Sequence, residues 1–161
     1  MYKQIFVPLD GSALAERILP HVQAIAKGTG AKVLLFRVAS AAAAGIAVEA
    51  PAEARKVLEG EQARAAKYLE GVAKRLKDAG LATKIEVSMG EPAVEIVMAA
   101  EKEKADLIAI MSHGVTGLSH FDMGSVAEKV VKTSPRPVLL VRAFRTVPRI
   151  LTDQEVWAIK G

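Results

Sequence analysis

Five short apolar runs, each set apart from the next by a stretch with helical spacing, leave this chain few folds. The runs are residues 4–9, 32–38, 83–89, 106–110 and 138–141. Strands joined through helices lie parallel, with right-handed crossovers and helices on both faces of the sheet. Residues 106–110, ending Leu-Ile-Ala-Ile, read as a strand buried on both sides. Residues 83–89 alternate instead, with Ile85, Val87 and Met89 opposite Lys84, Glu86 and Ser88, which places that strand half exposed near an edge. The expected architecture is an α/β fold: an open five-stranded parallel sheet, order 3-2-1-4-5.

The helical stretches carry their own punctuation. Ser12 is placed to cap the first helix, whose face is Leu14, Ile18, Val22 and Ile25. Pro20 inside that helix predicts a kink, and Gly28 and Gly30 stop it. Residues 53–79 form a second helix on the spacing of Leu58, Ala65, Leu69, Val72 and Leu76. A third begins at Gly90-Glu91-Pro92, with proline in the first turn, and a fourth runs from Ser125 to about Thr133. The alanine-rich residues 39–51 fit a mobile loop and a short helix equally. Residues 1–142 make one domain, followed by a tail, 143–161, in which Thr152-Asp153 is placed to cap a short helix carrying Val156, Trp157 and Ile159.

Composition narrows the function. A chain of 161 residues suits one domain with a real core. The absence of cysteine removes disulfides, thiol nucleophiles and thiolate metal sites. A net charge of +4 is spread along the chain without interleaved aromatics, which disfavours nucleic acid and suits a small anion. The chain runs straight into a strand, leaving no room for a signal peptide, and no apolar run reaches the roughly 18–20 residues that span a bilayer. A soluble, cytoplasmic protein is expected.

Residues 111–128 hold the candidate chemistry. Gly114, Gly117 and Gly124 lie between a buried strand and a helix that begins near Ser125. Glycines let backbone amides converge on an anion, and a helix N-terminus adds unpaired N–H groups and partial positive charge. The same residues also read as a plain turn followed by a capping box, Ser125 with Glu128. In a 3-2-1-4-5 sheet the winding reverses between strands one and four, and ligands sit beyond the carboxyl ends of strands at that point. The segments meeting there are Pro8-Leu9-Asp10 and residues 111–117.

Val7-Pro8-Leu9-Asp10-Gly11-Ser12, Gly90-Glu91-Pro92, Ser112-His113-Gly114-Val115-Thr116-Gly117, Gly124-Ser125-Val126-Ala127-Glu128 and Pro137-Val138-Leu139-Leu140-Val141-Arg142 stand in that order. Together they resemble the universal stress protein family over residues 3–142. The resemblance implies a Rossmann-like fold of the adenine nucleotide alpha hydrolase-like kind, forming homodimers. In the family's ATP-binding branch a motif of Gly, two residues, Gly, nine residues, Gly and a small hydroxyl residue wraps ribose and phosphates. Gly114 and Gly124-Ser125 match its second half, and Met111 stands where its first glycine would be. A methionine there crowds a ligand unless its side chain turns into the core.

The implied nucleotide site is Pro8, Leu9, Asp10, Val38, Met111, Ser112, His113, Gly114, Gly117, Gly124, Ser125 and Val126. Its ligand is ATP or AMP, with any Mg²⁺ held by the phosphates. His113 and His120 lack a neighbouring carboxylate set, so no protein-held metal is expected. There is no Gly-x-x-x-x-Gly-Lys-Ser/Thr loop and no lysine in the glycine stretch. The expectation is therefore a binder, with at most slow ATP hydrolysis, acting in regulation or stress response. The alternative is a dimeric interaction module that binds no nucleotide. The apolar last strand, Val138, Leu139, Leu140, Val141 and Arg142, is the expected dimer interface, since pairing with its twofold copy covers a sticky sheet edge.

Overall fold

The computed structural model describes residues 1–39, 51–112 and 123–142. The readings made for the alanine-rich segment (40–50), for His113, Gly114, Gly117 and His120, and for the tail with Trp157 lie outside the described residues. Five strands are present: β1 (Gln4–Pro8), β2 (Lys32–Ala39), β3 (Thr83–Met89), β4 (Leu107–Met111) and β5 (Val138–Val141). They alternate with α1 (Leu19–Thr29), α2 (Pro51–Asp78), α3 (Pro92–Lys102) and α4 (Ser125–Thr133). Every pairing is parallel and the order is β3-β2-β1-β4-β5, as the alternation of runs predicts.

Strand side chains alternate between two cores. Ile5, Val7, Val33, Leu35, Leu107 and Ala109 pack with α1 and α2 through Val22, Leu69, Val72 and Leu76, and with Ile18 just before α1. Phe6, Leu34, Phe36, Ile108 and Ile110 pack with α3 and α4 through Ile96, Ala100, Ala127 and Val130. Both faces of β1 and β4 are thus covered, which is why their sequences are continuously apolar. Among the described residues no helix is long and apolar enough to cross a membrane.

Two local expectations are corrected. Pro20 does not kink the first helix. Ala15–Ile18 forms a separate 3₁₀ turn, and α1 starts at Leu19, so Pro20 sits in its first turn where the missing N–H costs nothing. Ser12 does cap this segment, its Oγ accepting from the Ala15 N–H at 3.0 Å. The capping box at Ser125 and Glu128 is not formed. Gly124, which has no side chain, is the N-cap, and Glu128 instead accepts from Lys132 Nζ.

The two outer strands differ. On β3, Lys84 pairs with Glu103 at 2.9 Å and Glu86 with Lys102 at 3.1 Å, whereas β5 carries only half-buried Val-Leu-Leu-Val. At the amino ends of the central strands, Asp106 Oδ2 accepts from the Lys3 and Gln4 N–H groups at 2.7 and 2.9 Å. These two bonds hold the Asp106 carboxyl below its ordinary 3.8. A depressed folded-state value stabilises the fold above the unfolded value, and that contribution disappears as pH falls through the folded one. Wild type should therefore lose more stability than Asp106→Asn between about pH 5 and pH 2. Urea midpoints measured across that range check this, and parallel pH profiles would contradict it.

Candidate functional site

The central ladder opens at its carboxyl end. Pairing between β1 and β4 stops at Phe6–Ile108, whereas β1 stays in register with β2 to Pro8–Phe36 and β4 with β5 to Met111–Val141. Successive amides of a strand point to opposite edges. The Leu9 N–H donates to Phe36 O on β2 at 2.8 Å, so the amide of residue 8 would face β4, and a proline has none to offer. Beyond β4, the Ser112 N–H likewise turns outward, to Val141 O at 2.8 Å. Pairing between β1 and β4 thus ends earlier than on either side, at the point where the winding reverses and where sheets of this kind place a ligand crevice.

Helix α4 begins beside that crevice. The Gly124 N–H donates to Ser112 O at 2.7 Å, which fixes the start of the helix against the end of β4. The intrahelical ladder begins with Glu128 N–H to Gly124 O at 2.9 Å. Gly124 has no side chain to cap with, and the first-turn N–H groups carry the partial positive charge of the helix end. Glu91 ties the neighbouring helix into place: its carboxylate accepts from the Val94 N–H at 2.8 Å and from Lys129 of α4 at 3.2 Å.

The residues expected to form the site fall into three groups. Pro8 and Ser112 are buried at the two strand ends, with exposed Asp10 just beyond β1. Asp10 Oδ1 accepts from the Ser12 N–H at 2.8 Å, a side-chain turn that shapes this corner. Val38, half-buried near the end of β2, and Val126, in the first turn of α4, both pack on the α3/α4 side, while Gly124 and exposed Ser125 open that helix. Leu9 and Met111 are different, because their side chains belong to the α1/α2 core, at 3 % and 5 % exposure. Only their backbones border the crevice, so the methionine in place of glycine does not obstruct it.

A feature the sequence analysis passed over lies next to Asp10. Gly11 has φ +92°, and a Cβ there would stand 2.6 Å from Arg37 Nη1. Arg37 comes from β2 and its Cζ lies 5.1 Å from the centre of the Tyr68 ring on α2. The signal was available: Arg37 is a cation toward the end of β2, after the apolar run Val33-Leu34-Leu35-Phe36. Two shallow clefts elsewhere touch none of these residues. One, of about 230 Å³, lies between α1 and α2 at Glu16, Pro20 and Arg75. The other, about 460 Å³, is at the amino-terminal rim by Lys3, Lys32 and Lys104. No group of three metal-binding side chains occurs among the described residues.

A doubly wound α/β domain with its crevice between the first and fourth strands, and a helix N-terminus at its lip, defines a class of small-ligand domains. The chain belongs to the universal stress protein family, whose family model matches residues 1–142. It is 38% identical to universal stress protein MJ0531 of Methanocaldococcus jannaschii, covering 88% of this chain and 83% of that one. It superposes on the solved structure of MJ0577, from the same organism, with a TM-score of 0.81 and 34% identity, covering 91% of this chain and 99% of that one. The fold is shared with a universal stress protein family protein of Arabidopsis thaliana solved with AMP bound, at a TM-score of 0.64, 17% identity, and 94% and 97% coverage.

Proposed function

We propose that this chain binds an adenine nucleotide, ATP or AMP, at the carboxyl ends of β1 and β4, and acts as a dimeric cytoplasmic regulatory protein of stress response. The observation that carries the proposal is the end of the β1–β4 ladder at Phe6–Ile108, with the start of α4 drawn to its edge by the Gly124–Ser112 bond. The crevice offers backbone donors for phosphate at Ser125 and Val126, in the first turn that Gly124 opens, a carboxylate at Asp10 for ribose hydroxyls, and an apolar edge at Val38 for the base. The AMP-bound Arabidopsis protein of the same fold supports an adenine ligand. Any Mg²⁺ would come with the phosphates, supplying charge neutralisation there.

Binding without turnover follows from the same inventory, since residues 111–128 contain no lysine to brace a γ-phosphate. The competing view, an interaction module that binds no nucleotide, drew its motive from Met111 as an obstacle, and that side chain packs in the core. Homodimerisation through Val138, Leu139, Leu140, Val141 and Arg142 is part of the proposal, and a monomeric mass in light scattering at micromolar concentration would overturn that part.

Gly124→Ala tests the site. Gly124 has φ −59° and ψ 142°, which alanine adopts freely, so the melting temperature should hold. A methyl group at the lip would still push phosphates off the backbone, lowering Mg·ATP affinity about tenfold or more, the scale of lost charge-assisted hydrogen bonds. Isothermal titration of both proteins measures this. No heat from folded wild type at millimolar Mg·ATP would reject the nucleotide proposal.

A further inference from the structure

Arg37 has no carboxylate within ion-pair distance among the described residues, although its side chain is half-buried. Its guanidinium instead meets two surfaces. One is the face of Tyr68, a favourable seat for a flat cation. The other is the backbone of Gly11, where Nη1, Cζ and Nη2 lie 2.6, 2.9 and 3.0 Å from the position a Cβ would take. All three guanidinium contacts there are close, so the group lies against the glycine rather than touching it with one tip. Gly11 is the residue between Asp10 and Ser12, whose side chain and amide close the turn. A contact from helix α2 thus reaches, through one arginine of β2, the corner that carries Asp10.

Tyr68 packs against the α1/α2 core with its ring face turned to Arg37. Its hydroxyl is buried without a hydrogen-bond partner among the described residues. The nearby Glu16 carboxylate is held by Arg75 at 2.6 Å. Burial first, then Glu16 through its charge and a hydrogen-bonding approach to the hydroxyl, then Asp10, push that hydroxyl above its ordinary range, with Arg37 opposing.

We propose that Arg37, braced on Tyr68, is a positioning residue that fixes the Gly11 turn, holds the Asp10 carboxylate at the crevice and thereby sets the site's selectivity for ribose hydroxyls. The ribose part rests on the adenine-nucleotide proposal above, and the part concerning the turn does not. A mere packing role would change stability alone, so the test reads selectivity. Wild type, Arg37→Met, Tyr68→Leu and Tyr68→Phe are titrated with Mg·ATP and with Mg·2′,3′-dideoxy-ATP. Arg37→Met and Tyr68→Leu should bind ATP about tenfold more weakly, the scale of one lost polar contact, with dideoxy-ATP affinity unchanged. Tyr68→Phe, which keeps the ring, should match wild type with both ligands. An Arg37→Met protein that keeps the wild-type ratio of the two affinities would overturn the proposal.

A second measurement needs no nucleotide. In the free protein, amide exchange at Ser12, whose N–H is held by Asp10, should quicken in Arg37→Met while the amides of α1 keep their rates. If Ser12 exchange is unchanged, the brace is refuted, whatever the titrations show. If wild type binds no nucleotide yet Ser12 responds, the nucleotide proposal falls and the brace stands. Should circular dichroism show Arg37→Met unfolded, Arg37→Lys takes its place. It keeps the charge but loses the flat stack, so Ser12 exchange should still quicken, and a wild-type rate would refute the brace equally.

Discussion

Replacing Met111 with glycine should destabilise the protein by about 2.5–6 kcal/mol and leave nucleotide affinity unchanged. Met111 stands where the ATP-binding motif of the family would have its first glycine, so the substitution looks like a repair. Its side chain, however, is 5 % exposed and packs with Leu9, Val7 and Ala109 against α1 and α2. Removing a buried methionine costs about 2–5 kcal/mol, and a glycine inside a strand adds roughly 0.5–1 kcal/mol through backbone freedom. Denaturant unfolding gives the first quantity, and titration with Mg·ATP, on protein kept below its unfolding transition, gives the second. Unchanged stability with a large gain in affinity would mean that the methionine occupies the crevice.

Phe6→Ala should be the other severe substitution. Phe6 is fully buried on the α3/α4 side, its ring centre 4.9 Å from that of Phe36 at a 40° tilt. It also belongs to the last paired position between β1 and β4. Truncation creates a cavity worth about 3–5 kcal/mol, of which the aromatic pair accounts for about 0.5–1.5 kcal/mol. For a domain of this size that corresponds to a drop in Tm of roughly 6–20 °C. Phe6→Leu, which retains most of the volume, should lose far less. Thermal unfolding of the two variants separates the effects, and equal losses would show that volume is not what Phe6 contributes.

Sequence patterns carried most of this fold because a buried parallel sheet is written plainly. Continuous apolar runs marked β1, β2 and β4, and the Lys84-Ile85-Glu86-Val87 alternation marked β3 as an edge. What periodicity does not carry is the choice between competing local bonds. Ser125 and Glu128 have capping-box spacing, yet Gly124 takes the cap position because its N–H is claimed by Ser112 across the chain. Pro20 looked like a kink because the 3₁₀ turn at Ala15–Ile18 has nearly the same spacing as a helix.

The direction of Met111 was nearer to hand. Leu107, Ala109 and Met111 alternate, so once β4 runs to residue 111 its side chain must share the core of the other two. Ending that strand one residue early hid the answer. The Arg37–Tyr68 contact joins residues from a strand and a helix, and no local window contains both.

The unlike borders of the sheet have a consequence for how many copies can join. A strand fringed with lysine and glutamate already engaged in ion pairs resists another strand laid alongside it. β5 presents valine and leucine with no charge to repel a neighbour. Two copies meeting through β5 would be left with ionic fringes at either extremity, so the object has no growing end. Were copies to join in this way, the pair would be a terminus, and an apolar border would not seed a ribbon that never closes.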